Sequence, residues 1–124
     1  MMIAHVTVHT AKINESVNFY QWLLDLPISR KFNTPTGEIV FLGENETKFE
    51  FIEDNNAEKI NAAGLSIGFT VDNLDEKIAM LDGKQIKHSP IISPGSNVRF
   101  VYFSDLNGCQ IQLFEEKKLE SFPA

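Results

Sequence analysis

The chain has 124 residues, of which 43% are hydrophobic, and a formal net charge of −6 at pH 7. This length is sufficient for one domain, and the hydrophobic content allows a core to form without disulfides or a structural metal. A single cysteine, Cys109, excludes an intramolecular disulfide. The acidic charge argues against nucleic-acid binding, which needs Lys and Arg to neutralise phosphates.

The N-terminal residues lack the basic region and apolar run of a secretory signal, and no apolar stretch approaches the ~20 residues of a membrane span. A lone cysteine is compatible with a reducing compartment. We therefore expect a cytoplasmic protein with no membrane partner.

The first half of the chain predicts a strand, a helix and three further strands. Residues 2–9 alternate, so that Ile3, His5, Thr7 and His9 share one face. Asn14 can cap a helix that Pro27 ends. Strand patterns follow at residues 28–32, 38–42 and 48–52, with Gly- and Pro-containing turns between them.

The second half repeats this order after a polar linker, residues 53–64. Residues 65–71 alternate between an apolar face and a second face that carries Ser66, Gly68 and Thr70. Asn73 and Glu76 predict a capping box for a helix that Gly83 ends. Three strands are predicted at residues 85–92, 98–104 and 109–115, with turns at 94–95 and 107–108.

A near-constant offset relates the two halves. His5 and Ser66 lie 61 residues apart, and Glu50 and Gln112 lie 62 residues apart. Such an offset indicates an internal duplication. We predict one α+β domain over residues 1–124, with two tandem βαβββ units, about 2–52 and 65–115, that form a curved mixed sheet around a concave cleft.

The alternation places polar and aromatic side chains on the sheet faces away from the helices. A pocket with aromatic walls and a few polar groups suits a small organic ligand. The predicted ligand-binding residues are His5, Phe41, Glu50, Ser66, Phe100, Tyr102 and Gln112. The alternative interpretation of the aromatic residues in this set is ordinary core packing. His9 and His88 are expected at the surface, and Cys109 is expected to pack in the core.

Four segments resemble the vicinal oxygen chelate superfamily: residues 4–8, 16–20, 69–72 and 103–108. This superfamily includes glyoxalase I, extradiol dioxygenases, fosfomycin-resistance enzymes and bleomycin-binding resistance proteins. The resemblance extends over about residues 2–116, and the order of the segments within a duplicated unit makes it specific. It implies the glyoxalase/bleomycin-resistance fold and a homodimer.

The resemblance also implies a possible metal site at His5, Glu50, Ser66 and Gln112, where metalloenzymes of the superfamily carry His, Glu or Gln. Ser66 stands where a histidine is usual, and Gln112 stands where a glutamate is usual. A neutral hydroxyl is a poor ligand for a first-row dication, and the amide lacks a negative charge. We therefore expect no metal and no other cofactor.

The resulting hypothesis is a binding protein that sequesters a small organic compound, cationic or aromatic, without a catalytic metal. Glu50 and the acidic charge favour a cationic or hydrogen-bond-donating ligand. The alternative is a metal-dependent lyase or isomerase resembling glyoxalase I, with a metal at His5, Glu50 and Gln112. A structural or regulatory dimer with a vestigial cleft is a third possibility, so enzymatic activity remains open.

Overall fold

The computed structural model describes residues 1–45 and 47–117. In these ranges the chain forms two helices and eight strands, and neither helix is long and apolar enough to cross a membrane. The first unit contains β1 (His5–Thr10), α1 (Ile13–Leu24), β2 (Ile28–Thr34), β3 (Gly37–Leu42) and β4 (Lys48–Glu53). The second contains β5 (Ile67–Thr70), α2 (Leu74–Gly83), β6 (Ile92–Gly95), β7 (Val98–Ser104) and β8 (Gln110–Glu116).

Each unit has its own four-stranded mixed sheet in the part of the chain described. The strand order is β1-β4-β3-β2 in unit 1 and β5-β8-β7-β6 in unit 2. The first and fourth strands of each unit pair in parallel, and the other pairs are antiparallel. The predicted α+β fold with tandem βαβββ units is confirmed. The boundary between the units falls between Lys59 and Ile60, within residues 53–64.

The core of unit 1 lies between α1 and one face of its sheet. The Tyr20 ring is fully buried, 4.9 Å from the Phe49 ring and 5.8 Å from the Phe51 ring. Val40 and Leu42 of β3 are buried on the same face. Burying a side chain of this size stabilises the fold by about 1.5–3 kcal/mol. The alternate residues of the strands therefore lie on a second face, which α1 does not cover.

The core of unit 2 is built in the same way. Leu74 and Leu81 of α2 and Ile111 and Leu113 of β8 are fully buried. At the start of α2, the Leu74 amide donates to Glu115 Oε2 at 2.8 Å, so a carboxylate on β8 caps the helix. Asn73 accepts from the Glu76 amide at 3.1 Å, which is one of the two hydrogen bonds of the predicted capping box.

Two predicted boundaries in unit 1 are wrong. β1 begins at His5 rather than at residue 2. Helix α1 begins at Ile13, so Asn14 lies inside it, and Lys12 is an N-cap residue without a side-chain cap hydrogen bond. The chain just before the helix is instead fixed by Thr10, whose hydroxyl accepts from the Lys12 amide at 3.0 Å.

The strand predicted at residues 85–92 is also wrong. Gln85 adopts a left-handed conformation (φ 58°) just after α2, and His88 forms only an isolated bridge with Phe103. The strand at this edge is β6, which contains the Pro94-Gly95 pair predicted as a turn. Proline is tolerated there because an edge strand leaves N–H groups unpaired.

The turn predicted at residues 107–108 is present and has a packing role. Gly108 has φ 86°, and a Cβ at this position would clash with the Ile60 carbonyl oxygen. The Ile60 amide donates to the Asn107 carbonyl at 2.8 Å. Glycine thus allows the segment that enters unit 2 to lie directly against this turn.

Candidate functional site

Unit 1 presents a row of four side chains across the sheet face that α1 leaves uncovered. Thr7 of β1 pairs with Glu50 of β4, Glu50 pairs with Phe41 of β3, and Phe41 pairs with Arg30 of β2. Directly opposed residues in neighbouring strands share a face. We call this surface, with His5 and Phe32 beside the row, the unit 1 face.

Glu50 is the buried polar group of the unit 1 face. Its side chain is 10% exposed, and its Oε1 atom accepts from the Thr7 hydroxyl at 2.5 Å. The Nε2 atom of His5, whose side chain is 45% exposed, lies 3.5 Å from the same oxygen. A buried carboxylate is tolerated where hydrogen bonds compensate its lost hydration. With about four lone-pair sites, a carboxylate retains capacity to accept from a ligand donor.

Aromatic rings continue this surface away from Glu50. The His5 and Phe41 rings meet edge to face at 5.6 Å. Phe41 and Phe32 are stacked at 6.4 Å, and Phe32 is 37% exposed. The unit 1 face therefore combines a carboxylate with an apolar, partly exposed aromatic surface.

On the corresponding face of unit 2, the predicted ligand-binding residues are aromatic or carry an uncharged amide. Gln112 Nε2 donates to the Tyr102 hydroxyl at 3.4 Å. Phe100 meets Tyr102 edge to face at 5.6 Å and stacks with Phe114 at 6.3 Å. We call these four residues the unit 2 face.

A glycine explains the position of the Gln112 amide. Gly68 pairs with Gln112 as Thr7 pairs with Glu50. A Cβ on Gly68 would lie only 2.9 Å from Gln112 Oε1. The absent side chain therefore leaves the room that this amide occupies, whereas in unit 1 the Thr7 hydroxyl bonds to the carboxylate.

The structure places six of the seven predicted residues on the two faces described above, three in each unit. His5, Phe41 and Glu50 belong to the unit 1 face, and Phe100, Tyr102 and Gln112 belong to the unit 2 face. Ser66 was predicted inside a strand, but β5 begins at Ile67, and Ser66 is exposed just before it. The strand prediction failed there because period-two alternation continued beyond the residues that pair.

Sequence reasoning did not select four residues that belong to these faces. Thr7 lies two residues from His5, and Phe114 lies two residues from Gln112. Residues two apart in a strand share a face, so the same period-two pattern could have identified them. Arg30 and Phe32 could not be assigned to a face, because an irregularity in β2 interrupts the alternation.

His9 and His88 were predicted at the surface, and Cys109 was predicted in the core. His9 Nδ1 lies 3.2 Å from Asp54 Oδ2 at an exposed position, as expected. His88 was expected at the surface, but its side chain is only 17% exposed, and its ring lies within hydrogen-bond distance of the Ser89 carbonyl and of Asp82. Cys109 is buried, and burial raises the pKa of its thiol to about 12, in agreement with a packing role.

The donor set does not fit a tight divalent metal centre. Within residues 1–45 and 47–117 no three His, Cys, Asp or Glu side chains are grouped closely enough to hold an ion. His5 and Glu50 form the one imidazole–carboxylate pair on the unit 1 face. On the unit 2 face, Gln112 offers a neutral amide that is already bonded to Tyr102.

Comparison with known proteins identifies the family. The profile of the Glyoxalase/Bleomycin resistance protein/Dioxygenase superfamily matches residues 2–113. The chain belongs to this superfamily. No curated protein sequence matches the chain.

Solved structures share the superfamily fold at low sequence identity. A glyoxalase family protein from Enterococcus faecalis is 22% identical with a TM-score of 0.71, over 91% of this chain and 96% of that one. The fosfomycin resistance protein FosX from Listeria monocytogenes is 14% identical with a TM-score of 0.74, over 94% of each chain. TnmS3, an antibiotic binding protein from Streptomyces sp. CB03234, is 13% identical with a TM-score of 0.72, over 94% of this chain and 97% of that one. At these identities the likeness concerns the fold alone.

Proposed function

We propose that this superfamily member binds a small organic molecule, cationic or aromatic, without a catalytic metal. The observation that carries the proposal is the Glu50 carboxylate, which is 10% exposed, lies 3.5 Å from His5 Nε2 and is paired in register with Phe41 of the neighbouring strand. A carboxylate in a poorly solvated apolar setting interacts more strongly with a ligand cation than an exposed one does. Ser66, Phe100, Tyr102 and Gln112 are proposed as further ligand contacts.

The comparisons support a binding role at the level of the fold. TnmS3 is described as an antibiotic binding protein and FosX as a fosfomycin resistance protein. Sequestration of a toxic compound is therefore the physiological role that we propose. We further propose a cytoplasmic homodimer that binds no nucleic acid, in keeping with its lone buried cysteine and net charge of −6.

The second candidate is a metal-dependent lyase or isomerase. It is favoured by one observation, the closeness of His5 and Glu50, which the superfamily resemblance implies as metal ligands. One structure of FosX is described as complexed with Mn(II) and a dihydroxypropylphosphonic acid. The donor set described above does not favour this candidate for the present chain.

A thermal-shift and calorimetric screen of aromatic amines in the presence of a chelator tests the proposal. We expect at least one amine to stabilise the parent protein. Glu50→Gln should weaken its binding about tenfold, because it removes a charged partner at nearly constant shape. Glu53→Gln is the matched control, since Glu53 lies on the same strand but bonds the Glu38 amide. Stoichiometric Ni or Zn binding that His5→Ala abolishes, without stabilisation by any amine, would favour the lyase.

A further inference from the structure

An irregularity in β2 determines which side chains reach the unit 1 face. Ile28 pairs with Leu42, which is buried under α1. If the pairing continued regularly from there, Arg30 would lie opposite Val40 on the same covered side. A bulge between Ile28 and Arg30 shifts the register by one residue, so that Arg30 lies opposite Phe41. Bulges commonly redirect side chains next to functional sites.

The bulge is held by a side-chain contact. The Ser29 hydroxyl donates to the Phe41 carbonyl at 3.3 Å. From Arg30 to Thr34 the pairing with β3 is regular again. Arg30 and Phe32 are therefore fixed by register, two residues apart, on the same face as Glu50 and Phe41.

The guanidinium of Arg30 lies against the Phe32 ring and has no carboxylate partner among the residues that the structure describes. Its Cζ atom lies 5.0 Å from the centroid of the Phe32 ring, a cation–π geometry. Among the residues that the structure describes, no carboxylate lies within 4.0 Å of it. Lys31, by contrast, is paired with Glu38 at 3.5 Å. The planar fork of Arg30 is thus free to bind an oxyanion at two points.

Glu50 and Arg30 belong to two strands of the row that are not direct neighbours. One strand, β3, separates them, and neighbouring strands are about 4.8 Å apart, so their backbones are about 10 Å apart. Phe41 lies between them in the register. The face thus offers a carboxylate, an aromatic ring and a guanidinium in that order.

We infer that the ligand of the unit 1 face is bipolar, with a cationic or hydrogen-bond-donating group at Glu50, a flat apolar middle over Phe41, and an oxyanion bound by Arg30. This inference rests on the proposed function and specifies its ligand class. A single-charged aromatic amine would use only half of the row.

Three matched probes test the inference: 4-(aminomethyl)benzoate, benzylamine and benzoate. All three contain a benzene ring. The first carries both a cation and an anion, benzylamine carries only the cation, and benzoate carries only the anion. In NMR titrations of the ¹⁵N-labelled parent, we expect 4-(aminomethyl)benzoate to bind at least about fivefold more tightly than benzylamine. Arg30→Gln should remove this advantage, and it should not weaken benzylamine, because the change only removes a positive charge that repels the benzylamine cation.

Lys31→Gln is the matched control, because it makes the same charge change on the neighbouring residue, whose partner is Glu38. Arg30→Lys is a second variant that keeps the charge but loses the fork, and it should retain part of the advantage. Circular dichroism and thermal unfolding verify that each variant is folded.

The outcomes separate this inference from the proposed function. If benzylamine binds and Glu50→Gln weakens it, but the bipolar probe binds no more tightly, the inference is overturned and the proposed function stands. Equal losses of bipolar-probe binding in Arg30→Gln and Lys31→Gln also overturn it. If none of the three probes shifts any resonance of the unit 1 face, both proposals are overturned.

Discussion

At the scale of single residues, Glu115 shows how one buried carboxylate stabilises unit 2. It accepts from the Leu74 amide at 2.8 Å and from Arg99 Nη2 at 3.0 Å, and Arg99 also contacts Asp75 of α2. The bond from the Leu74 amide, followed by the bond from Arg99, lowers the pKa of Glu115 below 4.5. The stabilisation is therefore complete above that value and is lost as the pH falls through the lower pKa of the folded state.

We predict that Glu115→Ala lowers the free energy of unfolding at pH 7 by about 1–2 kcal/mol, because a helix cap is lost. In urea denaturation followed by circular dichroism, the difference from the parent should shrink as the pH is lowered towards 3. Glu116→Ala, at the exposed neighbour on the other face, is the control and should have little effect. A difference that is constant with pH would contradict the assigned role of the charge.

How far the candidate site can be predicted also depends on single residues. Regular alternation was sufficient to assign His5, Glu50, Phe100, Tyr102 and Gln112 to faces away from the helices. It was not sufficient for Arg30, because a bulge consumes one residue and reverses every later assignment. A bulge is stabilised by contacts such as that between Ser29 and Phe41, which no local pattern reveals.

At the scale of elements, the connection between α2 and β6 is held by His88. Its Nδ1 lies 2.7 Å from the Ser89 carbonyl and its Nε2 lies 2.8 Å from Asp82 Oδ1. Both partners only accept hydrogen bonds, so both are satisfied only by the doubly protonated ring. The Ser89 carbonyl first, and Asp82 next among the raising groups, lift the pKa of His88 above 6.5, although partial burial opposes this.

This geometry predicts a pH-dependent contribution to stability. A raised folded-state pKa means that the stabilisation is present below about pH 6.5 and is lost as the pH rises through the folded value. The excess stability of the parent over His88→Gln should thus be larger at pH 6 than at pH 9 in urea denaturation. NMR titration of the His88 ring should give a midpoint above 6.5 that Asp82→Asn lowers. An unchanged midpoint in Asp82→Asn would contradict the role of that carboxylate.

The same connection explains why one strand was misplaced by sequence reasoning. Residues 85–92 contain enough apolar and turn residues to resemble a strand, yet Gln85 and the His88 contacts hold most of them in irregular conformation. The β7 and β8 predictions were accurate to within one residue, because their alternation reports burial against α2 directly. Tertiary contacts override local propensity most easily at edges, where few pairing partners exist.

The turn between β7 and β8 gives a second prediction at this scale. Gly108→Ala should lower the free energy of unfolding by more than about 1 kcal/mol, because φ is positive and the Ile60 backbone blocks the added methyl. Gly83→Ala is the control, since nothing lies within 4 Å of its added Cβ. It should leave stability unchanged or raise it slightly, as alanine favours a helix. Equal effects of the two changes in thermal unfolding would contradict this packing role.

At the scale of the whole molecule, the duplication was the most informative sequence feature. Offsets of 61 and 62 residues predicted that two units share a topology, and both sheets have the same strand order. The units nevertheless differ in chemistry, since Thr7 and Glu50 correspond to Gly68 and Gln112. Repetition predicts topology because pairing depends on hydrophobic pattern, whereas it does not predict the polar residues of a site.

Assembly is the prediction that belongs to the whole molecule. We expect a homodimer, as the superfamily resemblance implies, and Ile28, Ile91 and Ile92 are exposed apolar side chains that an interface could cover. Sedimentation equilibrium at micromolar concentration should give twice the monomer mass of 14.0 kDa. A mass equal to that of the monomer across the accessible concentration range would contradict the prediction.

The bulge in β2 also has a consequence for how this gene can vary in length. Pairing from Arg30 to Thr34 is set by the two-residue turn that joins β2 to β3, while Ile28 is set by the end of α1. Loss of the Ser29 codon would remove the extra residue of the bulge. Ile28 could then still pair with Leu42, and Arg30 with Phe41. Loss of a codon between Arg30 and Thr34 would instead send the guanidinium to the covered side of the sheet. Single-codon deletions only a few positions apart would thus either leave Arg30 on the unit 1 face or move it to the covered side of the sheet.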